Sequence, residues 1–129
     1  MPFAKHLRVL VVDDASVSRM LIVNSLNEAG IENVVLAKDG EEGLKAMMTN
    51  PSHLVLSDLN MPKLDGLQLL RALREYAPTR KVGFILVTGR GDGAIIEQGR
   101  AFGLNNYLLK PFTTATLKSA IETVVGRLV

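Results

Sequence analysis

Hydrophobic residues come in two rhythms along this chain, short unbroken runs and longer helical stripes, and the two alternate. Leu7–Val12 is an apolar run broken only by Arg8, Leu54-Val55-Leu56 is unbroken, and Val82–Thr88 is nearly so. Runs of this length, rich in β-branched residues, predict strands buried on both faces. Val34–Ala37 and Asn106–Leu109 predict two shorter strands. Between them lie helical stretches. The first is capped by Ser16 or a neighbour and runs to Gly30, with Ser18, Leu21, Ile22, Ser25, Leu26 and Ala29 at helical spacing toward a sheet. Gly40–Asn50 predicts a helix burying Leu44, Met47 and Met48, stopped by Pro51. A third runs from about Gly66 to Tyr76, before Pro78, and a weak fourth covers Gly91–Phe102 with Gly93 and Gly99. Thr113–Leu128 has the clearest period, with Leu117, Ala120, Ile121, Val124, Val125 and Leu128 on one face.

Five strands alternating with five helices predict an α/β fold, a doubly wound parallel sheet covered by helices on both faces. Residues 1–129 suit one domain, with no repeat, linker or low-complexity stretch. The absence of cysteine excludes disulfides and thiolate metal sites and suits the cytoplasm. No apolar run approaches a membrane span, and no signal peptide opens the chain. A net charge of +2 gives no argument for nucleic acid. Its distribution is uneven: residues 1–65 carry 6 basic and 9 acidic side chains, residues 66–129 carry 9 and 4. His6 and His53 have no ligand-spaced neighbour and read as solvated or capping residues.

The candidate chemistry sits where strands end. Ligands of doubly wound sheets bind outside the carboxyl ends of the strands. There the sequence places Asp13 and Asp14 after the first strand, Asp58 at the end of the third, Thr88 at the end of the fourth and Lys110 after the fifth. Three converging carboxylates repel one another, and a divalent cation relieves that repulsion. The donors are all oxygen, so Mg²⁺ is the expected ion, with Mn²⁺ also acceptable. A carboxylate nucleophile beside a metal, an ammonium and a hydroxyl reads as an aspartyl-phosphate site.

The motifs V-V-D-D at 11–14, S-D-L-N-M-P-K-L-D-G at 57–66, V-T at 87–88 and Y-L-L-K-P-F-T at 107–113 make the chain resemble a two-component response-regulator receiver domain over its full length, nearest to the single-domain chemotaxis regulators. The resemblance implies a flavodoxin-like strand order 2-1-3-4-5 and a single receiver without an output domain. It implies phosphorylation of Asp58. The Mg²⁺ ligands would be Asp13, Asp14, Asp58 and the backbone carbonyl of Asn60. Thr88 and Lys110 would contact the phosphoryl group, Thr88 and Tyr107 would form the switch, and the bond before Pro111 would be cis. The implied partners are the phosphotransfer domain of a histidine kinase and a flagellar motor switch protein, or another target, read on the face of the fourth helix, fifth strand and fifth helix by a cytoplasmic monomer. A phosphate sink or phosphorelay intermediate is the alternative. Gly89 and Arg90 depart from the residues common at their positions, and Arg90, Arg100, Lys118 and Arg127 bias that side toward positive charge. Val17, Met20 and Val23 fall outside the first helix's sheet-facing stripe and suggest a docking place for the kinase's phosphotransfer helix.

Other readings fit less well. Gly89–Ala94 matches a dinucleotide fingerprint but follows the fourth strand and lacks the acidic residue about 20 positions on. Arg90-Gly91-Asp92 as an adhesion tripeptide lacks a secreted context. Asp13-Asp14 would repel a flavin phosphate, which disfavours a flavodoxin, and it does not supply the D-x-D of a haloacid-dehalogenase-type phosphatase.

Overall fold

In the computed structural model, which describes residues 3–89 and 93–128, the unbroken apolar runs form the middle of one sheet. The strands are β1 (Arg8–Val12), β2 (Asn33–Ala37), β3 (Leu54–Asp58), β4 (Gly83–Thr88) and β5 (Asn106–Leu109). The helices are α1 (Ser16–Glu28), α2 (Gly40–Thr49), α3 (Gly66–Glu75), α4 (Gly93–Ala101) and α5 (Thr114–Val125). All strand pairs are parallel and the order is β2-β1-β3-β4-β5. This is the receiver fold expected from the sequence, and it explains the runs: β1, β3 and β4 are central, so both of their faces are covered.

The sheet separates two cores. On one face Val9, Val11, Leu54, Leu56, Ile85 and Val87 pack with α1 and α5. On the other, Leu10, Val12, Val55, Phe84 and Leu86 pack with α2 and α3. Strand alternation alone produces this split. The helices start on side-chain caps where the sequence supplies them. Asp39 accepts from the Glu42 N–H, and Asp65 and Thr113 form reciprocal boxes with Gln68 and Thr116. The Glu42 N–H, aided by the Lys63 ammonium, holds the Asp39 carboxyl below its ordinary value. Arg74 ties α3 to the turns beyond it by donating to the carbonyls of Arg80 and Gly103 and to Asn105 Oδ1.

Several boundaries and faces differ from the sequence reading. The first turn of α1 has no side-chain cap; Ala15 precedes it. Ile22, Leu26 and Ala29 are buried as expected, but Leu21 is 56% exposed, because it lies one helical step off the axis of contact. In α2, Met47 is buried and Met48 is 50% exposed; the buried face runs through Gly43 instead, where a Cβ would come within 2.9 Å of a Val12 methyl. The last helix ends at Val125, since Gly126 adopts φ 94°. Leu128 is nevertheless fully buried, tied back through Glu122 and Ala4. Arg90, one of the basic residues expected on the output side, and Gly91 and Asp92, expected at the head of the fourth helix, lie outside the described residues.

Gly66, at the first turn of α3, sits against the end of β3. A Cβ there would lie 2.4 Å from the Asp58 carbonyl oxygen and 2.8 Å from a Leu86 methyl. Neither atom can retreat without moving strand backbone or core. Gly66→Ala is therefore expected to destabilise by roughly 1–3 kcal/mol, the usual cost of overpacking, although alanine has the better helix propensity. Urea unfolding checks this; an unchanged or raised midpoint would show that α3 can slide away.

Candidate functional site

A parallel sheet brings all carboxyl ends to one rim, and four of its five strands deliver a chemical group there. Asp58 is the last residue of β3 and Thr88 the last of β4, while Asp13 and Lys110 follow β1 and β5 directly. Carboxylate oxygens of Asp13, Asp14 and Asp58 all lie within 4.8 Å of one another. Asp13 is fully buried, Asp58 half-buried and Asp14 exposed. The Lys110 ammonium stands between two of them, 3.5 Å from Asp13 Oδ2 and 3.4 Å from Asp58 Oδ1. The Lys110–Pro111 peptide bond is cis.

Each carboxylate is positioned differently. Asp13 accepts from the Ala15 N–H at 2.9 Å and from the Ser18 hydroxyl. Its backbone is held as well: its N–H donates to the Ala37 carbonyl, and its carbonyl accepts from Arg19 Nη1 at 2.6 Å. Asp58 Oδ1 accepts from the Leu59 N–H at 2.9 Å, and the Asp58 carbonyl accepts from the buried Ser57 hydroxyl. Oδ2 of Asp58 takes no hydrogen bond from a described residue. Asp58, unlike the fully buried Asp13, is also partly exposed.

Burial raises the Asp58 pKa above the ordinary 3.8; the neighbouring Asp13 charge adds to this, while Lys110 and the Leu59 N–H oppose it. The metal fit follows from the donor set: three hard carboxylates close enough to share one ion, with no histidine or thiolate nearby, suit a small divalent cation.

Thr88 is 1% exposed at the end of β4. Tyr107 is 37% exposed and stands opposite Leu86, one pleat back from Thr88, which is opposite Leu109. Thr88 and Tyr107 thus lie on neighbouring strands, on a diagonal of one face. Asn60 is exposed in the loop after β3. Ser18 and Arg19 escaped the sequence reading. Ser18 was assigned to the stripe facing the sheet, and nothing in the chain marks it as a partner of Asp13 five residues earlier. Between α1 and the β5–α5 turn lies a cleft of about 580 Å³ lined by Val17, Ser18, Leu21, Lys110, Pro111 and Phe112. Beside it Val17 is 72% and Met20 57% exposed, whereas Val23 is half-buried. The exposed apolar group on α1 is therefore Val17, Met20 and Leu21.

The raised Asp58 pKa carries a sign. The folded protein binds this proton more readily than the unfolded chain, so the charged side chain costs stability above pH 3.8, and that cost fades as pH falls toward 3.8. Metal-free Asp58→Asn protein is expected to unfold at higher urea concentration than wild type at pH 7, with the difference shrinking as the pH is lowered toward 4. Equal midpoints at pH 7 in EDTA would contradict it.

Comparison with known proteins agrees with this geometry. Residues 9–122 match the family model for the response regulator receiver domain. The chain is 44% identical over 128 residues, 99% of each protein, to a probable chemotaxis protein CheY of Rhizobium etli. Its fold matches the chemotaxis protein CheY4 of Vibrio cholerae with a TM-score of 0.85 at 30% identity, covering 92% of this chain and 98% of that one. It also matches the receiver domain of the sensor histidine kinase PA1611 of Pseudomonas aeruginosa, TM-score 0.84 at 28% identity over 93% and 98% of the two chains, and that structure has a magnesium ion coordinated in its active-site cleft. With the family model spanning most of the chain and a near-full-length relative at this identity, the chain belongs to the response regulator receiver domain family.

Proposed function

We propose that this receiver accepts a phosphoryl group on Asp58 from the phosphohistidine of a histidine kinase and thereby switches binding to a chemotaxis target, the flagellar motor switch protein. One observation carries the site assignment: of the three clustered carboxylates, Asp58 alone combines an ion pair to Lys110 with partial exposure, Asp13 being fully buried and Asp14 unpaired with the lysine. In the transfer, the P–N bond to the kinase histidine breaks, an O–P bond to Asp58 forms, and the imidazole leaves. Lys110 moves from pairing with Asp58 to pairing with the new phosphoryl oxygens. Thr88, buried at the adjacent strand end, donates its hydroxyl to the same group. Asp13, Asp14 and Asp58, with the Asn60 carbonyl, would hold Mg²⁺, which would supply positive charge beside the phosphoryl group. Gly89 has open space around its Cβ position, so the phosphoryl pocket keeps its access.

Asp58→Asn is expected to abolish hydroxylamine-labile labelling from a phosphorylated kinase. EDTA is expected to do the same to wild type, and Asp14→Ala to weaken Mg²⁺ binding by about tenfold or more. Undiminished labelling of Asp58→Asn would reject the acceptor, and equal Mg²⁺ affinity in Asp14→Ala would reject the metal site.

The exposed apolar patch on α1 borders the cleft between α1 and the β5–α5 turn, which Lys110 also lines, and suits a helix carrying the donor histidine. Val17→Asp combined with Met20→Asp is expected to slow transfer from the kinase while leaving phosphorylation by a small-molecule phosphoryl donor unchanged. Equal slowing of both routes would show damage to the site itself.

For output, a Thr88 hydroxyl drawn to the phosphoryl group vacates space along the diagonal to Tyr107. Tyr107 then turns inward and reshapes the α4–β5–α5 face. That α4 carries Gly99 in its interior, where a glycine costs about 1 kcal/mol relative to alanine, so it is a weak helix that re-poses readily. Phosphorylated Tyr107→Ala is expected to bind the flagellar switch protein at least several-fold more weakly than phosphorylated wild type. No binding by phosphorylated wild type would instead make the protein a phosphate sink.

A further inference from the structure

The two edges of the sheet are finished differently. At β5 the Lys110 N–H donates to the Thr88 carbonyl, so Lys110 faces β4 and alternation turns the Tyr107 and Leu109 amides outward. The Tyr107 N–H is then occupied by Asn106 Oδ1 at 2.9 Å. At β2 the Ala37 carbonyl accepts from the Asp13 N–H, so Asn33, Val35 and Ala37 face β1, and Val34 and Leu36 turn their N–H and C=O groups outward. The next outward N–H, that of Lys38, is bonded to Glu42 Oε1 at 3.2 Å, which fixes the parity. Among the described residues no side chain reaches the N–H of Val34 or Leu36.

The side chains of β2 are equally unusual for an edge. Asn33–Ala37 carries no charge and no proline, and Val35 and Leu36 are 37% and 49% exposed. Edge strands of soluble domains are ordinarily blunted by charge, proline or a bulge. The charges here flank the strand instead: Glu32 precedes it and Lys38 follows it, both exposed, and among the described residues neither has an ion-pair partner.

We propose that β2 pairs antiparallel with β2 of a second copy of this chain, about a twofold axis at Val35, to form a weak dimer with a continuous ten-stranded sheet. The sequence is self-complementary in this register. Val34 falls opposite Leu36 of the second copy, so the outward amides and carbonyls satisfy one another. Val35 meets Val35 as the close, non-hydrogen-bonded pair. Glu32 falls opposite Lys38 at both ends, the opposite-charge cross-strand arrangement that favours pairing. A slip of two residues either way sets a charged side chain against Leu36 or Val34, so the charges select one register. Since β2 and β5 are opposite edges, the α4–β5–α5 faces point away from each other and both acidic rims stay open. An edge of five residues buries less than the area of a standard interface, so the dimer is concentration-dependent. The inference does not rest on the phosphorylation reading.

Sedimentation velocity over a concentration series of the full chain tests it, read with amide exchange. Wild type is expected to dimerise, with exchange at Val34 and Leu36 slowing as concentration rises and Val35, already bonded to β1, unaffected. Glu32→Lys and Lys38→Glu are each expected to weaken the dimer about tenfold, because each places like charges opposite one another at both ends. The double variant is expected to restore it. Val35→Lys is expected to leave a folded monomer, its thermal midpoint at low concentration close to wild type. Wild type remaining monomeric throughout overturns the proposal. So does a dimer in which Val34 and Leu36 exchange is unchanged, or one that the charge swap fails to rescue.

Discussion

Like charges held together against their own repulsion are the constraint on which this structure turns. Asp13, Asp14 and Asp58 bring carboxylate oxygens within 4.8 Å of one another, and one of these side chains is fully buried. No packing advantage explains such a cluster. It persists because its members are fixed through the backbone, Asp13 by Ala37 and Arg19 and Asp58 by Leu59 and Ser57, and because Lys110 stands against two of them. The raised Asp58 pKa is the residue of repulsion and burial that these contacts leave uncompensated. Such a site is poised to gain from added positive charge or from a ligand that reorganises the lysine, which is what a receiver domain requires of it.

Two close approaches hold the rim in place. Gly43 lets α2 lie on Val12, immediately before the Asp13 turn, and Gly66 lets α3 start against the Asp58 carbonyl. Both carboxylates thus end strands whose covering helices come nearer than any side chain would permit. The closely packed strand ends are the ones that carry the chemistry. The α4 side is looser: a short helix with an internal glycine, next to an edge strand of four residues.

The signal side and the far side of the sheet also differ. At β5 one of the two outward amides, that of Tyr107, is covered by the Asn106 side chain, and Tyr107 and Leu109 are left as surface. At β2 the amides as well as the side chains are open. One fold therefore presents two chemically distinct edges on opposite sides of the phosphorylation rim, with no overlap between them.

By itself the sequence determined the number, order and type of the elements. Short unbroken apolar runs rich in β-branched residues and bounded by turn residues read as strands covered on both faces, and alternation with helices then favours a parallel sheet. That in turn put Asp13, Asp14, Asp58, Thr88 and Lys110 at one rim, because strand direction is shared. Tertiary structure decided what depends on distances between distant segments. Register set Tyr107 opposite Leu86 and Thr88 opposite Leu109, since pairing is set by the whole strand. Close packing at Gly43 turned the buried face of α2 away from Met48, and a left-handed Gly126 ended α5 while Leu128 still reached the core. The bonds of Ser18 and Arg19 to Asp13 arise where a helix start passes a strand end, and no periodicity records such a meeting.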